Sequence, residues 1–164
     1  GGGILNDAGC YPINASRMLF ESEPKGVFCN LVIDRETQVD TKATLLMDFD
    51  GNKQSQSSVG YDLQYQSNYE LWASDGFLRL TRAYNIPPDM PAKLNIENIN
   101  KNEEILIEPV NHFQLMIEAF GNEIIKSNHN KFNFEEDLLN QAKVMEACRV
   151  SNDEKRYVEI KEIK

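Results

Sequence analysis

A chain of 164 residues, 41% hydrophobic and 26% charged, is long enough for one domain with its own core and has a globular composition. Its net charge of −9, from 17 basic and 26 acidic residues without a compensating basic cluster, repels phosphate backbones and argues against nucleic acid as a main partner. No apolar run reaches the length of a membrane span and no signal peptide is visible. Three scattered cysteines, Cys10, Cys29 and Cys148, fit neither a disulfide framework nor a zinc site, so a reducing cytoplasm is the expected setting. His112 and His129 are too few for a histidine-rich metal centre, and no metal is expected.

Leu5 to Phe20 mixes small and apolar residues without strand-like alternation and stops at Glu21-Ser22-Glu23-Pro24, which predicts a helix. Gly26–Asp34 and Asp40–Phe49 read as strands, joined to a return strand over Lys53–Tyr65 by a turn at Asp50-Gly51. Tyr69–Ala73 and Phe77–Tyr84 form a second hairpin around Asp75-Gly76. The three prolines of Asn85–Ala92 make a loop, and Leu94–Ile99 and Glu104–Glu108 are further strands.

Two helices follow. Over Val110–Ser127, the residues Phe113, Ile117, Phe120 and Ile124 share a helical face. Over Phe134–Val150 the stripe is Leu138, Ala142, Met145 and Arg149, with Glu135, Glu136 and Asp137 suited to the positive end of the dipole. Arg156–Ile160 adds a short final strand. The expected architecture is α+β: an open, mostly antiparallel sheet of about six or seven strands, with helices packed on one face.

Chemistry concentrates in GGGILNDAGCYPINASRMLF. If Asp7 opens the helix, Tyr11 and Asn14 follow at four and seven positions on the same face, so a carboxylate, a phenol and an amide share one patch. Tyrosine can pass a proton at a hydroxyl while aspartate orients it and holds charge. Spacing alone also allows an Asp7 helix cap, a packed Tyr11 and a solvated Asn14. Pro12 fits a first turn, which places the helix start near Gly9 or Cys10 and Asp7 just before it.

GGGILNDAGCYPINASRML resembles the segment that opens the C-terminal domain of Gfo/Idh/MocA oxidoreductases, where three glycines lead into Asp-x-Gly-x-(His or Tyr). The matching residues are Gly1, Gly2, Gly3, Asp7, Gly9 and Tyr11. Tyrosine at the last position, followed by Asn14 and Arg17, is most similar to the glucose–fructose oxidoreductase and dihydrodiol dehydrogenase branch. YELWASDGFLRL (Tyr69–Leu80) resembles the family's hairpin, with Ala73 where glycine is commoner, and VNHFQLMIEAF (Val110–Phe120) resembles the helix behind its sheet.

The resemblance implies that residues 1–164 are the substrate-binding and oligomerisation domain of an NAD(P)-dependent oxidoreductase acting on a sugar or nucleotide-sugar alcohol. It implies Asp7 and Tyr11 as catalytic groups and Asn14 and Arg17 as sugar contacts, the last two serving equally as hydrogen-bonding residues within the domain. It further implies a homodimer or larger assembly through the open sheet face, with side-chain hydrogen bonds from Gln54 to Ser58. NAD or NADP is expected to be held mainly by an N-terminal Rossmann domain, because no Gly-x-Gly-x-x-Gly follows a strand here. The sequence before Gly1 should then carry that fingerprint and a Glu-Lys-Pro-like lysine motif, and the chain alone should neither bind NAD(P) tightly nor turn over. The alternative is a non-catalytic relative serving as a sensor or assembly domain. The aromatic set Tyr61, Tyr65, Tyr69 and Trp72 reads as cross-strand packing or a subunit interface ahead of carbohydrate stacking, and His112 as a capping or packing residue ahead of a sugar contact.

Overall fold

In the computed structural model, which describes residues 2–126 and 133–164, the run from Leu5 to Phe20 is helical throughout. Its first turn, Leu5–Gly9, is π-helical, and α1 (Cys10–Phe20) continues it. The sequence places Pro12 in a first turn, yet helical backbone begins well before it. A proline inside a helix crowds the carbonyl four residues back, and a wider turn just ahead of it relieves that clash. The helix ends at Glu21, whose left-handed backbone (φ 50°) lets its N–H reach the Arg17 and Met18 carbonyls.

The chain forms two compact units, one of residues 1–63 with 133–164 and the other of residues 64–132. In the first, β1 (Gly26–Ile33), β2 (Asp40–Asp48), β3 (Gln54–Gly60) and β8 (Val158–Glu159) make an antiparallel sheet in the order β3-β2-β1-β8. The turn between β2 and β3 falls at Gly51 as predicted, with φ 72°. β3 stops at Gly60, short of the predicted Tyr65.

Strand alternation sends Val27, Cys29, Ala43, Leu45 and Met47 to one face of this sheet. There they meet Ile4, Leu5 and Ile13 from the first helix and Val144, Met145, Ala147 and Cys148 from α3 (Phe134–Glu154). Each fully buried large side chain contributes about 1.5–3 kcal/mol. The predicted stripe on α3 is displaced: Leu138 is exposed and Arg149 only partly covered, and the buried residues are Val144, Met145, Ala147, Cys148, Ser151 and Asn152. Small side chains at 147, 148 and 151 let the helix backbone approach β1. There Ser151 Oγ accepts from Cys29 N at 2.8 Å and Asn152 Oδ1 from Leu31 N at 2.8 Å. The Arg149 guanidinium instead reaches Asn6 Oδ1 at 2.6 Å.

The second unit is a meander of β4 (Asn68–Ala73), β5 (Gly76–Thr81), β6 (Ala92–Asn98) and β7 (Lys101–Ile107), followed by α2 (His112–Lys126). Tyr69, Leu80, Leu94 and Ile105 line up across one face. The other carries the ion pairs Arg79–Glu70 and Lys93–Glu104, each 3.2 Å, and a Trp72 that is 92% exposed. No described residue of this unit is fully buried, and the α2 stripe Phe113, Ile117, Phe120 and Ile124 is exposed.

The α+β class and antiparallel pairing are those expected, with the eight strands among the described residues divided between two four-stranded sheets. The predicted helix end at Ser127, His129 and Gly1 lie outside the described residues. No described helix is long and apolar enough to cross a membrane.

Candidate active site

The start of the first helix is built around a carboxylate. Asp40, at the beginning of β2, accepts from Leu5 N at 2.6 Å, satisfying a free N–H at the positive end of the helix. Gly3 makes room for it: φ is 81°, and a Cβ there would lie 1.9 Å from Asp40 Oδ1. Gly3 therefore cradles a side chain of its own domain. Gly3→Ala is expected to cost about 1–3 kcal/mol, from the positive φ and the displaced carboxylate together. Urea unfolding reads this directly, and an unchanged midpoint would remove the role assigned to Gly3.

This anchoring sets the rotation of the helical run. Ile13 is fully buried, whereas Asp7, Tyr11 and Asn14 are all exposed, Tyr11 at 46%. The spacings of four and three residues that join them put them on the outward side of one continuous helix. The Asp7 backbone N–H donates to Gly3 O at 3.1 Å, and its carboxylate accepts at Oδ2 from Tyr61 Oη at 3.1 Å. Tyr61 follows the end of β3, where its own N–H donates to Thr41 O at 2.9 Å. Desolvation first, and then the hydrogen bond to Asp7, push the Tyr61 phenol above its usual range, so it remains a protonated donor at neutral pH. Partial burial pushes the neighbouring Cys10 thiol up, which keeps it from acting as a thiolate nucleophile.

Arg17 departs from this face. Its side chain is 5% exposed and its guanidinium donates to Glu23 at 2.7 and 2.8 Å, Asp137 Oδ1 at 2.9 Å and Gln141 Oε1 at 2.8 Å. The side chain predicted to touch sugar is occupied in tying α1 to α3, because residue 17 falls on the inward side one turn beyond Ile13. Asn14 stays with the outward pair.

Residues 1–79 match the GFO/IDH/MocA C-terminal domain. The matched stretch holds the Asp7–Tyr11 helix and Tyr61, and it runs through most of the β4–β5 hairpin. Over this stretch, just under half of its length, the chain is similar to the Gfo/Idh/MocA family.

Among its relatives is dTDP-3,4-didehydro-2,6-dideoxy-alpha-D-glucose 3-reductase from Actinomadura kijaniata. It is 28% identical over 149 residues, covering 91% of this chain and 45% of that protein. D-xylose 1-dehydrogenase (NADP(+)) 2 of Haloferax volcanii is 26% identical over 120 residues, covering 73% of this chain and 37% of that protein. A crystal structure of a 3-ketoreductase from Actinomadura kijaniata, in complex with TDP-benzene and NADP, superposes with a TM-score of 0.84 at 26% identity. It covers 92% of this chain and 48% of that one. The chain thus spans under half the length of the curated relatives it matches.

Sequence inspection groups Tyr61 with Tyr65, Tyr69 and Trp72, and in the structure each has surroundings of its own. Tyr65 lies under the Arg82 guanidinium at 4.5 Å, Tyr69 pairs with Tyr84 at 6.3 Å between ring centroids, and Trp72 faces solvent. Only the pairing of β2 with β3, which sets Thr41 beside Tyr61, brings Tyr61 to Asp7 across 54 positions of sequence. No local pattern could have signalled that contact.

Proposed function

We propose that this domain supplies the substrate-side catalytic groups of an NAD(P)-dependent oxidoreductase acting on a sugar or nucleotide-sugar alcohol or ketone. The observation that carries it is the outward presentation of Asp7 and Tyr11 on one helical run inside a Gfo/Idh/MocA domain. The relatives' reactions, reduction of a dTDP-ketosugar and oxidation of xylose, supply the substrate class. When bound, the nicotinamide gives or takes the hydride, and its dinucleotide is held mainly by an N-terminal domain in the intact protein. Gly3 does not fit that task, because the space beside it already holds the Asp40 carboxylate.

In the reducing direction Tyr11 donates its phenolic proton to the substrate oxygen as the carbonyl becomes a hydroxyl. In the oxidising direction it takes that proton back. Asp7 accepts a hydrogen bond from a sugar hydroxyl and fixes the ring, and Asn14 adds an amide contact one turn further on. A free tyrosine titrates near ~10, so proton exchange at neutral pH needs a cation close by, in this scheme a lysine of the N-terminal domain.

The test is nicotinamide absorbance in the intact protein, with NAD+ and NADP+ against a panel of aldoses and with NADH and NADPH against dTDP-ketosugars. Hydride transfer to or from a member of the panel is expected, and none with either cofactor would sink the proposal. The chain of residues 1–164 alone is expected to bind both cofactors more weakly than micromolar in calorimetric titration.

The outward face of the first unit's sheet offers a dimer contact. Phe28, Leu46 and Gln56 align across its three long strands, as do Asn30, Thr44 and Ser58, and Phe28 and Val32 are exposed apolar side chains. A mixed surface of this kind suits pairing with a second copy. Light scattering is expected to give twice the chain mass, and Leu46→Lys to return it to one; a wild-type monomer at high micromolar concentration would contradict this.

A further inference from the structure

The chemistry assigned to the helix needs the Asp7 carboxylate in a fixed orientation, yet residue 7 is exposed and sits in a π turn at the end of a helix. An exposed aspartate samples several rotamers, and each one lost from the reactive geometry lowers the rate. What limits Asp7 is the phenol from another element. Tyr61 Oη donates to Asp7 Oδ2 at 3.1 Å, leaving Oδ1 to face a ligand. Tyr61 is in turn held at the main chain by the bond from its N–H to Thr41 O, and the next residue, Asp62, turns the chain away with φ 56°. Thr41 adjoins Asp40, which caps the helix through Leu5 N. One end of the β2–β3 hairpin thus fixes both the start of the helix and the carboxylate it presents.

We propose that Tyr61 is a positioning residue for the sugar site, setting the rotamer of Asp7 through its phenolic hydrogen bond. This role rests on the function proposed above, in which Asp7 orients the substrate. The elevated titration of Tyr61 fits it, since the phenol keeps its proton through the working pH range and the bond persists. Tyr61 acts on the reaction only through Asp7, whereas Tyr11 exchanges a proton with substrate.

The test is a mutant cycle in the intact protein with Tyr61→Phe, Asp7→Asn and the double variant. Tyr61→Phe keeps the ring and removes only the donor, so its thermal midpoint should match the parent. Its kcat is expected to fall about 10-fold to 10²-fold with a smaller rise in KM, as expected when the group that holds and orients the sugar loses its own orientation. In the Asp7→Asn background the same change should alter kcat by less than about twofold, because the carboxylate whose rotamer it sets is already replaced by an amide. Equal losses in both backgrounds, or a loss confined to KM, would show Tyr61 acting on substrate or on the fold and would overturn the assignment. An Asp7→Asn protein with parental activity would instead remove the sugar-site function itself, and the role of Tyr61 with it.

Discussion

Tyr11→Phe in the intact protein is expected to lower kcat by about 10²–10⁴-fold, the usual range for removing a positioned general acid or base. The hydroxyl is the only atom lost. Because Tyr11 is 46% exposed, removing it should change stability by less than about 0.5 kcal/mol. The loss must therefore appear as chemistry. If the phenol exchanges its proton only as hydride moves, the loss falls on kcat and kcat/KM alike while KM stays nearly constant. Asp7→Asn should behave differently. An amide keeps the shape but not the charge, so a residue that grips the ground-state sugar raises KM as well as lowering kcat. Steady-state kinetics on the two variants separate the roles. A Tyr11→Phe enzyme within about threefold of the parent in kcat would remove Tyr11 from proton transfer.

Much of this arrangement is legible in the amino-acid order, and the failures have physical causes. The helix over Leu5–Phe20, the Gly51 turn and the two hairpins follow from local propensity and turn chemistry, which act over a few residues. The division of the strands between two sheets does not, since an antiparallel strand reads alike whichever sheet receives it. The buried face of α3 is misjudged because Leu138 and Ala142 look like core by hydropathy, while the contact with β1 selects small residues further along, at Ala147, Cys148 and Ser151. Periodicity finds a stripe on α2 as well, but cannot say whether anything covers it; in the structure those side chains are exposed. In the site, Asp7, Tyr11 and Asn14 are readable as one face because helical spacing is enough. Tyr61 is not, because a strand register brings it there. Arg17 is left open by the sequence, as a sugar contact or a hydrogen-bonding residue within the domain, and only the structure shows Glu23, Asp137 and Gln141 around it.

Arg17→Met is expected to destabilise the domain by about 2–4 kcal/mol in urea unfolding, the second large effect predicted. The guanidinium is nearly inaccessible, and its fork spans a carboxylate just beyond α1 and two side chains of α3, elements remote in sequence. Breaking a fully buried pair costs about 3–5 kcal/mol when one charge is stranded. Here Glu23 and Asp137 are 45% and 36% exposed at their side chains, so water can reclaim part of the loss. Lysine should not substitute, since one ammonium cannot fork to both oxygens of Glu23 and still reach Gln141.

The same network carries a pH signature. The Arg17 hydrogen bond, opposed by desolvation, holds the Glu23 carboxyl below its ordinary value of 4.5. A carboxyl depressed in the folded state binds fewer protons than in the unfolded chain. Its contribution is therefore complete above the unfolded value and disappears as pH falls through the folded one. Parent stability should decline on acidification below about pH 4.5, and Glu23→Gln should flatten that decline while lowering stability at neutral pH. Arg17→Met should flatten it too, because Glu23 then titrates alike in both states. A parental slope in both variants, or an Arg17→Met midpoint equal to the parent's, would mean the cluster does not hold the helices together. Catalytic constants in the Arg17→Met protein below its melting range offer a further check. They should stay close to the parent's if residue 17 serves the fold, whereas KM should rise steeply if it reaches the sugar.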